Sequence, residues 1–272
     1  MKIVETDRKY FSFINDIVNS DAYNTISTGQ VEAITFDDSS ESKVYDLVTS
    51  RLARDGYCLM QYMSTSAYNQ KIYEKILVNL FGVPVGEKFS GGRSYTNIQA
   101  TENAKFYVNS NVAQPIHTDE GHALEYPKYV ALYCEKEATI GGDSIIVPLR
   151  NLLSCLITEY GEDVNLLYMK NALTVQNYQG EKDKPILIKF DNGEIGISFS
   201  PVLYKIRCSD RVLRMFEYIA RYVHAIKNQI RFKLQARQLL LINNCSVLHG
   251  RTAFLENDPR LLYRYWYEWN AL

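Results

Sequence analysis

The 272-residue chain is 46% hydrophobic and 22% charged, a composition that supports a sizeable buried core and excludes an intrinsically disordered chain. Its 30 basic residues balance 31 acidic ones, so no net field marks it for nucleic acid or an anionic membrane, and a small-molecule partner is expected. Five scattered cysteines without a Cys-x-x-Cys pair fit neither a disulfide framework nor a zinc ribbon; with charge entering the first residues and no apolar run of spanning length, a cytoplasmic protein with one compact domain is expected.

The first eighty or so residues read as helical and irregular, a layer packed outside a sheet. Tyr10 to Ile17 is weakly periodic, and Glu41 to Ala53 sets Val44, Leu47 and Leu52 near one helix face before Asp55-Gly56 stops it. Tyr57 to Tyr62 reads as a buried strand, and Ser64-Thr-Ser offers the cap of a helix running to Phe81-Gly82. From about Tyr95 the pattern becomes short apolar strands, among them Tyr129–Cys134 and Ser144–Val147, separated by turns such as Gly141-Gly142-Asp143. One long helix interrupts them, with Val212, Phe216, Ile219, Val223, Ile226 and Ile230 forming one stripe. Strands return at Gln238–Ile242 and from Arg260 to Trp269. Many short strands with few long helices, in a chain also rich in tyrosine and phenylalanine, point to a mainly β, jelly-roll architecture with flanking helices.

Three sets of residues carry chemistry. His117 and Asp119 stand two apart, so in a strand their side chains share a face. Composition alone yields roughly 0.5 such His-x-acid pairs by chance, so the pair needs a third partner to mean anything. His249, ending an apolar strand within Leu248-His-Gly-Arg251, is that partner: two histidines and a carboxylate form the facial set that leaves three positions of a metal open. Arg260 and Arg264 alternate with Leu262 and Trp266 on one face of a strand whose two faces both look buried, and inward guanidinium groups call for an anion. Arg264 has two readings, a substrate acid group or a protein carboxylate such as Glu268. Arg251 either orients the site or forms a salt bridge. His122 lies five residues from His117, off the strand face, and His224 sits beside the apolar stripe as a surface or rim residue. Tyr107 and Asn109, on the apparent strand leading to His117, are substrate-pocket or core residues.

Taken together, Ile116-His-Thr-Asp119, Gly141-Gly-Asp-Ser144, Leu248-His-Gly-Arg251 and Arg260 resemble, in order, the motifs of the TauD/TfdA and clavaminate synthase-like Fe(II)/2-oxoglutarate oxygenases. Ser144 lies 27 positions beyond His117 and Arg260 lies 11 beyond His249, spacings similar to the taurine dioxygenase branch. The resemblance runs from about Tyr107 to Trp266. It implies a double-stranded β-helix core over about 91–272, with a helical insertion near 210–235 and a helical N-terminal layer over about 1–90, in a single oxygenase domain. It implies Fe(II) on His117, Asp119 and His249, with 2-oxoglutarate and O2 as cosubstrates. Arg260 then clamps the distal 2-oxoglutarate carboxylate with help from Ser144, where the family more often has Thr. Because Asp119 is retained, hydroxylation or a related C–H oxidation of a small polar metabolite, an amino acid or other carboxylic acid, is expected rather than halogenation. A silent jelly-roll binding module and a 2-oxoglutarate-independent cupin-like metalloenzyme are the alternatives.

Overall fold

The computed structural model describes residues 3–6, 10–27, 29–63, 69–85, 94–104, 106–177, 180–201 and 205–271. Along the chain run β1 (Ile3–Thr6), α1 (Ser12–Val18), β2 (Ala33–Phe36), α2 (Glu41–Asp55), β3 (Tyr57–Tyr62), α3 (Asn69–Phe81) and β4 (Thr96–Ile98). A 3-10 turn at Tyr107–Asn109 leads to β5 (Gln114–His117), β6 (Glu125–Lys136), β7 (Ser144–Pro148) and α4 (Leu149–Tyr160). After a second 3-10 segment come β8 (Leu173–Asn177), β9 (Gly180–Lys184), β10 (Leu187–Lys189), β11 (Ile195–Ile197) and β12 (Lys205–Ser209). The chain closes with α5 (Asp210–His224), β13 (Ile230–Phe232), β14 (Gln238–Asn243), β15 (Val247–Arg251) and β16 (Leu261–Ala271).

Two sheets form the core. The larger has the order β2-β3-β14-β6-β16-β4 and the smaller β13-β7-β15-β5. Strand alternation divides the apolar residues into three layers. Leu240, Ile242, Leu262 and Trp266 of the larger sheet meet Ile146, Phe232 and Val247 of the smaller one between the sheets. Leu239, Leu241, Tyr265 and Tyr267 face the other way, against Val44 and Val48 of α2 and Tyr73 and Ile76 of α3. Ile116, Ile145, Val147 and Leu248 turn outward from the smaller sheet onto α1, α4 and α5. The result is a double-stranded β-helix whose interior face carries both apolar packing and the candidate site.

Several sequence expectations change. The N-terminal segment supplies α2 and α3 as an outer layer, but β2 and β3 are strands of the larger sheet itself, β2 joining β3 in parallel and β3 pairing with β14. In α2 the buried stripe is Val44, Val48 and Leu52, while Leu47 is 52% exposed. Gly56 ends that helix in the left-handed conformation at φ +79. The Ser64–Ser66 cap lies outside the described residues. The long helical stripe stops at His224. Asn228 Nδ2 donates to the Tyr222 carbonyl (2.9 Å) and Gln229 Nε2 to that of Val223 (2.7 Å), satisfying last-turn acceptors, and Ile230 pairs in β13 with Ile146. Helix α4 was not anticipated, although Leu149, Leu152 and Leu156 follow a three- and four-residue step.

Lys184, the last residue of β9, is fully buried. Its Nζ donates to the carbonyls of Gly121 (2.7 Å) and Ser198 (3.0 Å), with Ser198 Oγ at 2.8 Å, and thereby ties the turn after Asp119 to the segment beyond β11. Burial lowers its pKa from 10.5 to about 7. Between those values the unfolded chain binds a proton that the folded one lacks, so stability rises with pH, and the burial penalty is fully present below about pH 7. Urea unfolding at about pH 7 and about pH 9 is expected to show the native protein gaining stability relative to Lys184→Met. Parallel behaviour of the two proteins would contradict a buried neutral amine.

Candidate metal centre

The smaller sheet brings the two histidines together. In the antiparallel pairing of β15 with β5, His249 stands opposite His117, and side chains of opposed residues share a face. Their ring centroids are 4.6 Å apart. Asp119 follows β5 by two residues, and its Oδ1 lies 3.3 Å from His117 Nε2 and 3.5 Å from His249 Nε2. One ligand atom from each residue falls within 4.8 Å of the others. The His117 Nδ1 proton goes to the carbonyl of Pro115 (2.8 Å), because a carbonyl can only accept, and this leaves Nε2 as a lone pair aimed at the centre. His249 Nδ1 has no hydrogen-bond partner among the described residues. Burial lowers the His249 pKa, against the opposing pull of Asp119, and favours the neutral, ligating imidazole.

Asp119 is held from all sides. It is 3% exposed, and burial alone would raise its pKa, yet the Arg264 guanidinium beside it holds it well below the ordinary carboxylate value. Trp266 Nε1 donates to Oδ2 at 2.7 Å, and Arg264 NH1 lies 3.2 Å from the same oxygen. The backbone is clamped too: Asn244 Oδ1 accepts the Asp119 N–H (2.8 Å), while Asn244 Nδ2 donates to the carbonyls of Asp119 (3.0 Å) and Pro127 (2.9 Å). The guanidinium straddles both oxygens, at 3.4 Å from Oδ1, but the indole holds only Oδ2, so Oδ1, which faces both imidazoles, is the oxygen placed for a metal. Three ionic or neutral electron-pair donors of N and O type, with no thiolate among them, suit a non-haem divalent iron site with open positions.

A second pocket begins one cross-strand row away. Arg251 stands opposite Gln114 on one side and Ser144 on the other. Arg260 is 5% exposed, and its side chain makes no hydrogen bond or ion pair among the described residues; burial lowers its pKa to about 10. It lies along the Gly141-Gly142 turn, where φ of Gly142 is +68 and a Cβ there would stand 2.9 Å from Ala138 Cβ and 3.3 Å from the Arg260 Cδ and Nε, so the turn favours glycine. Arg251 shares the Phe254 ring with Arg260, at 4.6 and 5.3 Å from the centroid. Instead of a salt bridge, Arg251 donates to the carbonyls of Thr252, Tyr107, Ser110 and Val112 at 2.9 to 3.4 Å. Two buried guanidinium groups thus lie against one ring, and one of them has no hydrogen bond or ion pair among the described residues.

The remaining candidates separate. Arg264 enters the centre through Asp119, whereas Glu268 pairs with Lys128 at 3.2 Å. Tyr107 and Asn109 sit on a 3-10 turn rather than a strand; the Tyr107 hydroxyl donates to Asn15 Oδ1 of α1 at 3.3 Å. His122 lies beside Glu120, with 3.8 Å between Nε2 and Oε2, and does not join the ligand group. His224 is not a rim residue: it is 1% exposed, accepts the Ile116 N–H at Nε2 (3.0 Å) and donates from Nδ1 to the Ala220 carbonyl (2.7 Å). Burial lowers its pKa to about 4. Sequence reasoning missed Asn244 and Trp266 as supports of Asp119; only their closeness to the motifs, five residues before His249 and two after Arg264, was there to find.

A double-stranded β-helix with a buried His-Asp-His set beside an arginine pocket defines a non-haem metal-dependent oxygenase class. The family model described as taurine catabolism dioxygenase TauD, TfdA family matches residues 29–266, and the chain belongs to this family. A curated relative, 3-((Z)-2-isocyanoethenyl)-1H-indole synthase of Fischerella ambigua (strain UTEX 1903), is 22% identical over 231 residues, covering 77% of this chain and 78% of that protein. Asparagine oxygenase in complex with Fe(II), 2S,3S-3-hydroxyasparagine and succinate superposes with a TM-score of 0.67 at 14% identity, over 83% of this chain and 79% of the other. The non-heme iron oxygenase OrfP in complex with Fe and alpha-ketoglutaric acid superposes with a TM-score of 0.62 at 12% identity, over 87% of this chain and 94% of the other.

Asn244→Ala removes two hydrogen bonds to the Asp119 backbone and a third to the Pro127 carbonyl without touching a ligand atom. Metal affinity is expected to fall by about 10- to 100-fold, the range for residues that orient ligands. A calorimetric titration of Mn(II) into the metal-free variant checks this, and unchanged affinity in a folded variant would refute the clamp.

Proposed function

We propose that this chain is an Fe(II)- and 2-oxoglutarate-dependent oxygenase that oxidises a C–H bond, by hydroxylation, of a small carboxylate-bearing metabolite such as an amino acid. The observation that carries the reading is the joint placement of the His117, Asp119 and His249 ligand atoms within 4.8 Å and of a buried guanidinium, Arg260, that has no hydrogen bond or ion pair among the described residues and shares the Phe254 ring with Arg251 of the neighbouring row. Iron at this centre supplies the chemistry that joins O2 activation to 2-oxoglutarate decarboxylation. Every other task falls to the chain. His117, Asp119 and His249 hold one face of the metal, and Trp266 and Arg264 keep Asp119 ionised and bound through Oδ1. Arg260 meets the distal carboxylate of 2-oxoglutarate through its planar fork, and Ser144, 6% exposed on β7, adds a hydroxyl donor.

Substrate class follows from charge. The Arg264 guanidinium stays beside Asp119 while a dication takes Oδ1, and it sets a second positive charge at the edge of the metal centre that favours a carboxylate-bearing substrate. This agrees with the hydroxylated amino acids named in the asparagine oxygenase and OrfP complexes. The relation to an isonitrile-forming enzyme points toward secondary metabolism.

Incubating the Fe(II)-loaded protein with O2 and 2-oxoglutarate against a panel of L-amino acids and small carboxylic acids is expected to release succinate and to add one oxygen to the accepted compound. No succinate above background from folded, metal-loaded protein would sink the reading. Arg260→Leu is expected to weaken 2-oxoglutarate binding by on the order of 100-fold while leaving Mn(II) binding unchanged, since a charge-assisted bidentate contact is lost. Calorimetry of each ligand in turn separates the two.

A further inference from the structure

Strand β5 carries a bulge beside the metal centre. On β15, His249 and Arg251 are two residues apart; their partners on β5, His117 and Gln114, are three apart. The extra residue resets the alternation, so Gln114 and His117, which an unbroken strand would send to opposite faces, point the same way. The chain accommodates the bulge at three points. Pro115 brings no N–H to satisfy, the Ile116 N–H leaves the ladder for His224 Nε2 (3.0 Å), and Gly250 falls at the register shift between His249 and Arg251. A Cβ on Gly250 would stand 2.7 Å from both the Gln114 carbonyl oxygen and Ile116 Cδ1.

The bulge places Gln114 Nε2 3.2 Å from His117 Nε2. Because the Pro115 carbonyl takes the Nδ1 proton, His117 Nε2 is an acceptor and the Gln114 amide donates into it. This is the lone pair a metal takes. Gln114 also shares its cross-strand row with Arg251 and Ser144, one row from His117, His249 and Ile146. A small molecule that chelates the metal and reaches Ser144 therefore passes from one row to the other, within range of Gln114.

Resting on the metal and 2-oxoglutarate assignment above, we infer that Gln114 is a placeholder and contact residue: its carboxamide holds the His117 lone pair until a metal displaces it, and then donates to the metal-side carboxylate of 2-oxoglutarate. Metal loading thus frees the group that the cosubstrate uses, and the order of binding is metal first.

The test compares the native protein with Gln114→Met, which keeps the length and removes the amide. Mn(II) is titrated into metal-free protein by the loss of its free-ion paramagnetic resonance signal, and 2-oxoglutarate is titrated into Mn(II)-loaded protein by calorimetry. Mn(II) is expected to bind about 2- to 10-fold more tightly to the variant, since the competing hydrogen bond is gone, and 2-oxoglutarate about 10-fold more weakly. Opposite signs are the signature, because structural damage weakens both. Loss of both affinities together, or an unchanged 2-oxoglutarate affinity, overturns the inference. Gln114→Glu gives a second reading should the methionine variant fail to fold: its carboxylate tightens Mn(II) and repels 2-oxoglutarate, and any other pattern overturns the inference. Native protein that binds no Mn(II) overturns the metal assignment itself, whereas native binding with equal signs in the variants overturns only the role of Gln114.

Discussion

The Asp119 carboxylate is 3% exposed and ionised, and most of the site follows from keeping it so. An unpaired charge at that depth is costly, so the fold surrounds it with donors: an indole on Oδ2, a guanidinium beside it and an asparagine on its backbone. Those supports come from β16 and from the turn between β14 and β15, elements of both sheets. The site therefore exists only when the two sheets close on each other. Once they do, one carboxylate oxygen and the Nε2 atoms of two imidazoles converge, an arrangement that suits a dication.

The arginines carry the second half of the account. Arg251 is satisfied by four carbonyls and braces the Tyr107–Val112 segment against the strand that bears His249. Arg260 has no such satisfaction among the described residues and shares the Phe254 ring with it, which is why the proposed function gives it the 2-oxoglutarate carboxylate. Gly142 makes room for that arginine, and Gly250 makes room for the bulge that turns Gln114 inward. The glycines of the two short motifs thus serve backbone approach, while their polar neighbours serve binding.

Much of this was legible in the sequence because His117, Asp119, Ser144, His249 and Arg260 sit in short motifs in a fixed order, although Asp119 lies in the turn after β5 and is set by the Asn244 clamp, not by the two-residue period of a strand. What breaks that period was invisible. Gln114 is three residues from His117, and no local signal apart from Pro115 announces the bulge that unites them. His224 lies beside the apolar stripe of α5, but its role depends on an N–H released by that bulge, in a strand over a hundred residues away. The end of α5 was also hidden, because Ile226 and Ile230 continue the helical step by coincidence while Asn228 and Gln229 cap the last turn. Glu268 is the nearby carboxylate that sequence offers Arg264, whereas tertiary closure supplies Asp119. Strand β2 is short and joins the larger sheet only through β3, so its pairing had no signature in its own residues.

The central claim is that one centre binds a divalent iron and a 2-oxoglutarate dianion together. Anaerobic addition of Fe(II) and 2-oxoglutarate to the native protein tests it most directly through visible absorption. The account predicts a metal-to-ligand charge-transfer band that needs both additions and disappears with a chelator. Folded protein that binds Fe(II) and 2-oxoglutarate separately, yet shows no such band when both are present, would contradict it.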